Sequence, residues 1–271
     1  MVARSQIRPW PAPVAVGQQA AARLGGLLRA GRRAASLCLC ALDAVGRAGV
    51  GARSFDRIPS RRVRAQAALL ARKSAELLAA HGIELRVLGA VPPGPAVLVA
   101  NHLSYLDPIV LLSVFPALPI AKLEVASWPL IGSATQRLGV LFVERNQAWS
   151  GARVLRAALR ALRCGVSVLN FPEGTTASGG QLGTFRRGSF GLARLAGLPV
   201  VPAALRYDRC DLTWSGDALF LPHYLRTAAR EHVEVDVHFG PPLDSRRYSS
   251  AEELAKAARS SVVRLQRSLE P

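Results

Sequence analysis

The chain has 271 residues, half of them apolar, and carries a formal net charge of +17 that arises almost wholly from arginine. This length allows one large α/β domain with a smaller accessory segment, and the globular composition excludes a low-complexity or fibrous chain. The charge favours anionic partners such as phospholipid head groups, nucleic acid or phosphorylated substrates. The four cysteines form no CxxC pair and no cluster with metal-ligand spacing, so we expect neither a zinc site nor disulfides.

Residues 1–60 are predicted to form basic amphipathic helices that associate with a membrane. Six arginines precede the first acidic residue, Asp43, and Leu24, Leu27 and Leu28 recur at helical spacing among them, although nearby glycines weaken the helix. Such a helix lies on an anionic bilayer surface. Crossing a bilayer needs about 20 apolar residues, and the apolar stretch at residues 34–42 is shorter, so we expect peripheral or monotopic attachment at the cytoplasmic face. A transit peptide and an ordinary helix with a solvated charged face are the alternatives.

Residues 61–271 are predicted to be a single domain in which strands and helices alternate. This alternation is typical of a mostly parallel sheet flanked by helices. A linker at residues 55–62 precedes the domain, and a capping box of Ser249 and Glu252 opens the last helix. The predicted strands are residues 83–88, 96–100, 140–143, 166–171, 200–205 and 233–239. The predicted helices are residues 63–81, 108–115, 152–162, 189–196 and 249–269.

The most informative stretch is residues 101–108, Asn-His-Leu-Ser-Tyr-Leu-Asp-Pro, which directly follows the apolar strand at 96–100. Pro108 suits the first turn of a helix, and Asp107 suits its N-cap. His102 is therefore predicted to lie at the carboxyl edge of the sheet, where α/β proteins place their sites, with Asp107 within its reach.

The chemistry of this pair favours general base catalysis. A free imidazole titrates near pH ~6.5, and a neighbouring carboxylate fixes its tautomer and stabilises the imidazolium. His102 is therefore predicted to deprotonate an alcohol directly, with the oxyanion stabilised by backbone amides near the helix start or by a nearby side chain. Taken singly, Asp107 is better explained as an N-cap and His102 as a structural histidine, whereas the eight-residue string as a whole favours the catalytic pair.

Three further blocks follow along the chain. Residues 139–145, Gly-Val-Leu-Phe-Val-Glu-Arg, end a strand with Arg145, whose guanidinium can hold a phosphate as a fork or form a surface ion pair. Residues 171–176, Phe-Pro-Glu-Gly-Thr-Thr, follow a buried strand and supply either a binding loop or a structural carboxylate. Residues 200–202, Val-Val-Pro, form an apolar strand that carries a proline.

The four blocks together resemble the glycerolipid acyltransferase family, which includes the 1-acylglycerol-3-phosphate acyltransferases. Residues 101–107 resemble its motif NHxSxxD, residues 139–145 resemble GxxFxxR, and residues 171–175 resemble FPEGT. The Val-Val-Pro strand resembles the fourth motif. The blocks follow the order of the family between residues 88 and 205, and four blocks in order are far more specific than any one of them.

The resemblance implies a glycerol-3-phosphate acyltransferase-like fold and transfer of a fatty acyl group from acyl-CoA or acyl carrier protein to a lysolipid hydroxyl. The implied acceptor is 1-acyl-sn-glycerol-3-phosphate, which gives phosphatidic acid, or a related lysophospholipid. The implied catalytic residues are His102 and Asp107, and no metal or cofactor is expected besides the thioester co-substrate. The predicted substrate-binding residues are Asn101, Ser104, Arg145, Glu173, Gly174, Thr175, Arg186 and Arg187.

Thr176 departs from many phosphatidic-acid-forming members, which have arginine at this position. Threonine cannot supply the positive charge, and Phe-Pro-Glu-Gly-Thr-Thr resembles branches that acylate other lysolipids, including lyso-ornithine lipid and lysophosphatidylcholine. Arg186 or Arg187 is a candidate to replace the missing charge, unless both are solvated. The alternative acceptor is therefore lyso-ornithine lipid or another phosphate-free lysolipid.

Two functions of other classes also fit the charge. A non-catalytic basic membrane-binding protein on the same fold would not need His102 and Asp107, which are both present. Nucleic-acid binding ranks last, because the chain has no aromatic-interleaved basic stripe and no known nucleic-acid module. We therefore expect an enzyme whose partners are an anionic membrane surface, a lysolipid and an acyl thioester, and not nucleic acid.

Overall fold

A single mixed sheet organises the residues that the computed structural model describes, which are 13–47, 59–144, 147–174, 182–214 and 219–270. Its strands are β1 Ile83–Leu88, β2 Val97–Ala100, β3 Ala117–Lys122, β4 Leu141–Val143, β5 Ser167–Asn170, β6 Val200–Tyr207 and β7 Val233–Phe239. Their order is β1-β7-β6-β2-β5-β3-β4, and neighbours run parallel except for β6 and β7. The predicted fold class, a mostly parallel α/β sheet flanked by helices, is confirmed.

Helices cover both faces of the sheet. They are α1 Pro13–Arg47, α2 Ser60–Ala80, α3 Asp107–Val114, α4 Ile131–Arg137, α5 Ala148–Arg163, α6 Gly188–Ala196, α7 Phe220–Ala229 and α8 Ala251–Ser268. Successive residues of β2 point to opposite faces, so Val97 and Val99 join the core formed with α5, α6 and α8, while Leu98 and Ala100 join the core formed with α3. Burial on both faces explains why this segment is an uninterrupted apolar run.

The direction of the strands decides where the sequence blocks meet. β2, β5, β3 and β4 are mutually parallel, so the loops that follow β2, β4 and β5 leave the sheet at one edge. Residues 101–107 follow β2, and residues 171–174 follow β5, which is the strand paired directly with β2. The sheet therefore brings two blocks that are distant in sequence into contact.

Some elements differ from the sequence prediction, which omits β3, α4 and α7. Pro119 is typical of a loop, yet it lies in β3 at a position paired only with β5, because β4 joins from Ile120 onward. The predicted linker extends too far, since α2 begins at Ser60. The capping box of α8 is shifted by one residue: Ser250 Oγ accepts from the amide of Glu253 at 3.0 Å.

Residues 13–47 of the N-terminal segment form one continuous helix of 35 residues, α1, where more than one helix was expected. Gly26 lies against Ala229 of α7, where an added Cβ would be 3.6 Å from the Ala229 carbonyl oxygen. Arg29 and Arg33 bind the C-terminal end of α7: Arg29 Nε donates to Ala229 O at 3.1 Å, and Arg33 donates to Ala228 O at 3.2 Å. These guanidinium groups satisfy helix carbonyls that have no intrahelical partner.

The opposite side of α1 is an exposed leucine stripe. Its members are all between 54% and 70% exposed and fall within one third of the helix circumference: Leu24, Leu27, Leu28, Leu39 and Leu42. Among the described helices, none combines the length and the apolar character needed to cross a bilayer.

Candidate active site

The loop between β2 and α3 brings His102 and Asp107 together. Nδ1 of His102 lies 2.8 Å from Oδ2 of Asp107. The Asp107 side chain is fully buried, whereas the His102 side chain is 19% exposed and lines a cleft. The carboxylate is thus shielded from water while one edge of the imidazole is accessible to a substrate.

Every oxygen of the Asp107 carboxylate accepts hydrogen bonds. Oδ2 also accepts from the amides of Leu103 and Ser104, and Oδ1 accepts from the Tyr207 hydroxyl at 2.6 Å. Asp107 is therefore not the N-cap that was predicted; Leu106 holds that position, and Asp107 instead closes the loop that precedes the helix. A carboxylate surrounded by donors is the ionised acceptor, so Nδ1 of His102 carries the hydrogen and Nε2 is free to accept a proton.

Two residues of the loop that follows β5, Phe171 and Glu173, contact His102 from the other side. The Phe171 ring stacks on His102 with 4.1 Å between ring centroids and an interplanar angle of 18°. Glu173 Oε1 accepts from the amide of His102 at 3.2 Å, and Oε2 accepts from the amide of Gly183 at 2.7 Å. Glu173, expected at the acceptor, thus connects the two loops, and Phe171 was not among the predicted site residues although it opens the third block.

Asn101 and Ser104 are placed differently from the sequence prediction, because both are fully buried and neither lines the cleft. The Asn101 side chain donates to Leu205 O at 3.0 Å and accepts from Leu205 N at 2.8 Å, so it extends the pairing of β2 with β6. The Ser104 hydroxyl has no hydrogen-bond partner among the described residues. A buried amide with both ends occupied has a structural role, which corrects the substrate-binding assignment of Asn101.

Arg186 and Arg187 are neighbours with different environments. The guanidinium of Arg186 lies over Gly174, where an added Cβ would be 3.1 Å from Nε, and it lines the cleft. Gly174 has φ +81°, a left-handed conformation that favours glycine, so both the backbone and the space above it require this residue. Arg187 also borders the cleft, but its side chain is 78% exposed and donates to Glu252 at 2.9 Å in a surface ion pair. Arg145 and Thr175, like Thr176, lie outside the described residues.

The cleft has a volume of about 790 Å³ and a mainly apolar lining. Helices α1 to α4 contribute aliphatic side chains such as Leu37, Leu70, Leu112 and Ile131. The aromatic residues along it are Tyr105, Trp128, Phe171, Trp214, Phe220 and Tyr224. A cavity of this size and character suits an apolar ligand with one reactive polar end at His102.

Three backbone amides of the loop are already used within the site. Leu103 and Ser104 donate to Asp107, and His102 donates to Glu173. These three amides are therefore not free to stabilise an oxyanion. Stabilisation by another amide near the helix start or by a nearby side chain stays a prediction.

Comparison with known proteins agrees with the geometry. Residues 82–206 match the model of the family described as Acyltransferase. A lyso-ornithine lipid O-acyltransferase of Pseudomonas aeruginosa is 35% identical over 193 residues, which cover 69% of this chain and 74% of that protein. The chain belongs to the acyltransferase family. This confirms the resemblance carried by the four sequence blocks and identifies the protein as an O-acyltransferase of lipid biosynthesis.

Other relatives of this acyltransferase differ in the acceptor that their names state. A lyso-ornithine lipid O-acyltransferase of Rhizobium meliloti is 33% identical over 65% of this chain and 66% of its own. A 1-acyl-sn-glycerol-3-phosphate acyltransferase of Neisseria meningitidis is 38% identical over 133 residues. The matched residues are 48% of this chain and 52% of that enzyme. The relatives share acylation of a lysolipid.

A solved structure shares the fold of this acyltransferase. It is the 1-acyl-sn-glycerophosphate acyltransferase PlsC of Thermotoga maritima, with a TM-score of 0.65 and 19% identity, covering 92% of this chain and 98% of that one. The likeness extends beyond the family match at residues 82–206 and includes the flanking helices.

Proposed function

We propose that this acyltransferase moves a fatty acyl group from a thioester onto a lysolipid hydroxyl with His102 as the general base. The observation that carries the proposal is the bond of 2.8 Å between Nδ1 of His102 and the buried Asp107 carboxylate, at the wall of an apolar cleft. This bond leaves Nε2 as the ring nitrogen that can accept a proton from a bound alcohol.

The reaction then proceeds by direct transfer. Nε2 of His102 takes the proton of the acceptor hydroxyl while the oxygen attacks the thioester carbonyl. The carbon–sulfur bond breaks, and the departing thiolate of coenzyme A or acyl carrier protein takes the proton from the imidazolium. Asp107 stays ionised and stabilises the imidazolium throughout. Base assistance of this kind contributes about 10²- to 10⁴-fold in rate.

The exposed leucine stripe of α1 supports attachment to a membrane at the cytoplasmic face. Leu24, Leu27 and Leu28 are 59%, 70% and 67% exposed, respectively. Apolar side chains on one face of a basic helix insert at the boundary between head groups and acyl chains, and the net charge of +17 attracts anionic lipid. The lysolipid then reaches the cleft without leaving the bilayer surface.

The acceptor that fits best is lyso-ornithine lipid, with 1-acyl-sn-glycerol-3-phosphate as the competing candidate. Relatives that carry the lyso-ornithine name match about two thirds of this chain. Its head group is a zwitterion with one carboxylate and one ammonium, whereas a phosphate monoester carries nearly two negative charges. The cleft lining offers Arg186 for a carboxylate and Glu144 for an ammonium, and Thr176 supplies no positive charge for a phosphate.

An acceptor competition assay tests both parts of the proposal. The purified full chain is given a labelled acyl donor, either acyl-CoA or acyl-acyl carrier protein. The reaction also contains equal amounts of lyso-ornithine lipid and 1-acyl-sn-glycerol-3-phosphate. We expect labelled ornithine lipid, and a loss of at least about 100-fold in His102→Ala. The matched control is His232→Ala, because His232 is an exposed histidine beside Glu234. Exclusive use of the phosphate acceptor would reject the lyso-ornithine assignment, and full activity of His102→Ala would reject the mechanism.

A further inference from the structure

Tyr207 is the side-chain partner of Asp107 that the sequence blocks do not contain. It is the last residue of β6, it is 6% exposed, and its hydroxyl donates to Oδ1 of Asp107 at 2.6 Å. The residue does not line the cleft, so it reaches the reaction only through Asp107.

We propose that Tyr207 is the positioning residue of the general base, holding the Asp107 carboxylate so that Oδ2 faces the imidazole of His102. The proposal rests on the proposed function, since it assigns a role within that proton transfer. It adds a third member, from the opposite half of the chain, to the pair that the spacing of residues 102 and 107 defines.

The division of donors between the two carboxylate oxygens supports this role. Oδ2 accepts hydrogen bonds from two backbone amides and from the imidazole of His102. Among the described residues, Oδ1 accepts a hydrogen bond from the Tyr207 hydroxyl alone. Without the phenol, Oδ1 of Asp107 would be a buried charged oxygen that lacks a donor, which is a costly state. The carboxylate would be driven to rotate or to draw in water, and either change disturbs the bond to His102.

The phenol of Tyr207 is suited to remain a donor. Burial, together with the neighbouring Asp107 charge, raises the pKa of Tyr207 well above its ordinary value. The hydroxyl therefore keeps its hydrogen over the whole pH range in which His102 can work. Its bond also withdraws negative charge from the carboxylate, which weakens the pull of Asp107 on a protonated imidazole.

The register of β6 fixes the location of this hydroxyl. Tyr207 pairs with Val235 of β7, and Leu205, two residues earlier on the same face of β6, is bonded twice to the Asn101 side chain. Asn101 is adjacent to His102, and its side chain is bonded to Leu205, two residues before Tyr207. The same contact between β2 and β6 therefore fixes the positions of both His102 and Tyr207. The buried Asn101 amide thereby gains a function as a spacer between the two strands.

The test is Tyr207→Phe, which removes only the hydroxyl, with Tyr248→Phe as the matched control because Tyr248 packs in the core of the other face of the sheet. After His102→Ala has confirmed that the base is needed, kcat, KM and the pH profile of kcat/KM are measured. We expect kcat to fall about 10-fold with KM nearly unchanged, and the acidic limb to move by about 0.5 unit, because the charge on the carboxylate and its bond to His102 both change. Tyr248→Phe is expected to leave all three unchanged.

Separate outcomes overturn this inference and the proposed function. Wild-type kcat and an unmoved acidic limb in Tyr207→Phe would reject the positioning role while leaving the His102 mechanism intact. A variant that no longer melts cooperatively would also reject it, because the hydroxyl would then serve the fold. Inactivity of the wild-type chain towards every lysolipid would instead reject the proposed function. A direct second measurement is the titration of the His102 imidazole by NMR, which we expect to shift in the same direction as the rate profile.

Discussion

The sheet edge that carries His102 and Asp107 pairs its polar groups within the fold, whereas the N-terminal helix α1 exposes apolar side chains. At the edge, each oxygen of Asp107 and the amides of residues 102–104 have partners within the loop or from the next strand. On α1, Arg33 is buried and Arg29 half-buried against α7, while leucines as much as 70% exposed face outward. The first arrangement holds one histidine in one orientation, and the second leaves an apolar surface that we propose binds lipid.

A change at the sheet edge should therefore affect catalysis, and a change on the leucine stripe should affect membrane location. A group at the edge has few alternatives, because its neighbours are already paired and buried. A leucine on the stripe contacts no core, so its loss should weaken only the interaction with lipid. Changes at Asp107, Arg186 and the leucine stripe test this contrast, and a change at His81 tests the stability of the fold that connects the two regions.

The largest effect is expected from Asp107→Asn. The amide nitrogen can face Tyr207, whose hydroxyl can also accept, so the fold is kept while the negative charge that stabilises the imidazolium is lost. We expect kcat to fall about 10³-fold at unchanged melting temperature. Asp236→Asn, which breaks an exposed ion pair with Arg86, is the control. Activity within about 3-fold of wild type would show that the carboxylate charge is not needed.

A smaller loss is expected from Arg186→Ala, which removes the guanidinium above Gly174. If this group binds an anionic head group, kcat/KM for the lysolipid falls about 10- to 100-fold, mostly through KM. Arg187→Ala is the control of equal charge, and it should change kcat/KM less than about 3-fold because Arg187 is already paired with Glu252 at the surface. Equal effects of the two variants would contradict the assignment.

The next effect concerns membrane location. Replacing Leu27 and Leu28 by serine is expected to lower partition into anionic vesicles about 10-fold or more, without loss of turnover on detergent-dispersed lysolipid. Leu195→Ser is the control, because Leu195 is 69% exposed on α6, at the other face of the sheet. Sedimentation with vesicles measures the bound fraction. Equal binding of the Leu195 and α1 variants would show that the stripe is not the membrane surface.

The smallest effect is a dependence of stability on pH through His81. Its Nδ1 lies 2.8 Å from Leu77 O and its Nε2 lies 3.0 Å from the Tyr224 hydroxyl, and burial lowers the pKa of His81. As pH falls below about 6.5, the unfolded chain binds a proton that the folded chain resists, so this residue makes folding less favourable towards acid. The melting temperature of His81→Gln should therefore fall less between pH 7.5 and pH 5.5 than that of the wild type. Identical slopes would exclude His81 as a source of acid sensitivity.

Local spacing explains how much of the site could be predicted. His102 and Asp107 are close in sequence and bracket one loop, so a strand followed by a helix was enough to predict that they meet. Tyr207 was not predictable, because it lies 100 residues from Asp107 and only the register of β6 brings it there. Arg186 and Arg187 are indistinguishable in the sequence; Gly174 and Glu252 distinguish them in space.

The fold was predictable where the pattern was periodic and less so where packing overrides propensity. The apolar run of β2 and the alternation of elements predicted a mostly parallel sheet correctly. Gly26 favoured an interrupted helix, yet it allows α1 to lie close to Ala229, so tertiary contact decides in favour of one long helix. Proline is likewise unfavourable inside a strand, because it has no amide hydrogen to donate. Pro119 is accepted in β3 because β4 does not pair with β3 at this position.

Helix α1 carries the leucine stripe on one side. On its other side, Leu37, Ala41 and Ala44 form part of the cleft wall. Arg33 and Gly26 attach the same helix to α7. A truncation at residue 60, made to obtain a form that stays in solution, would therefore remove one side of the cleft along with the proposed membrane-binding surface. A deletion in this chain would change both features together, and only point changes on the outer face of α1 separate them.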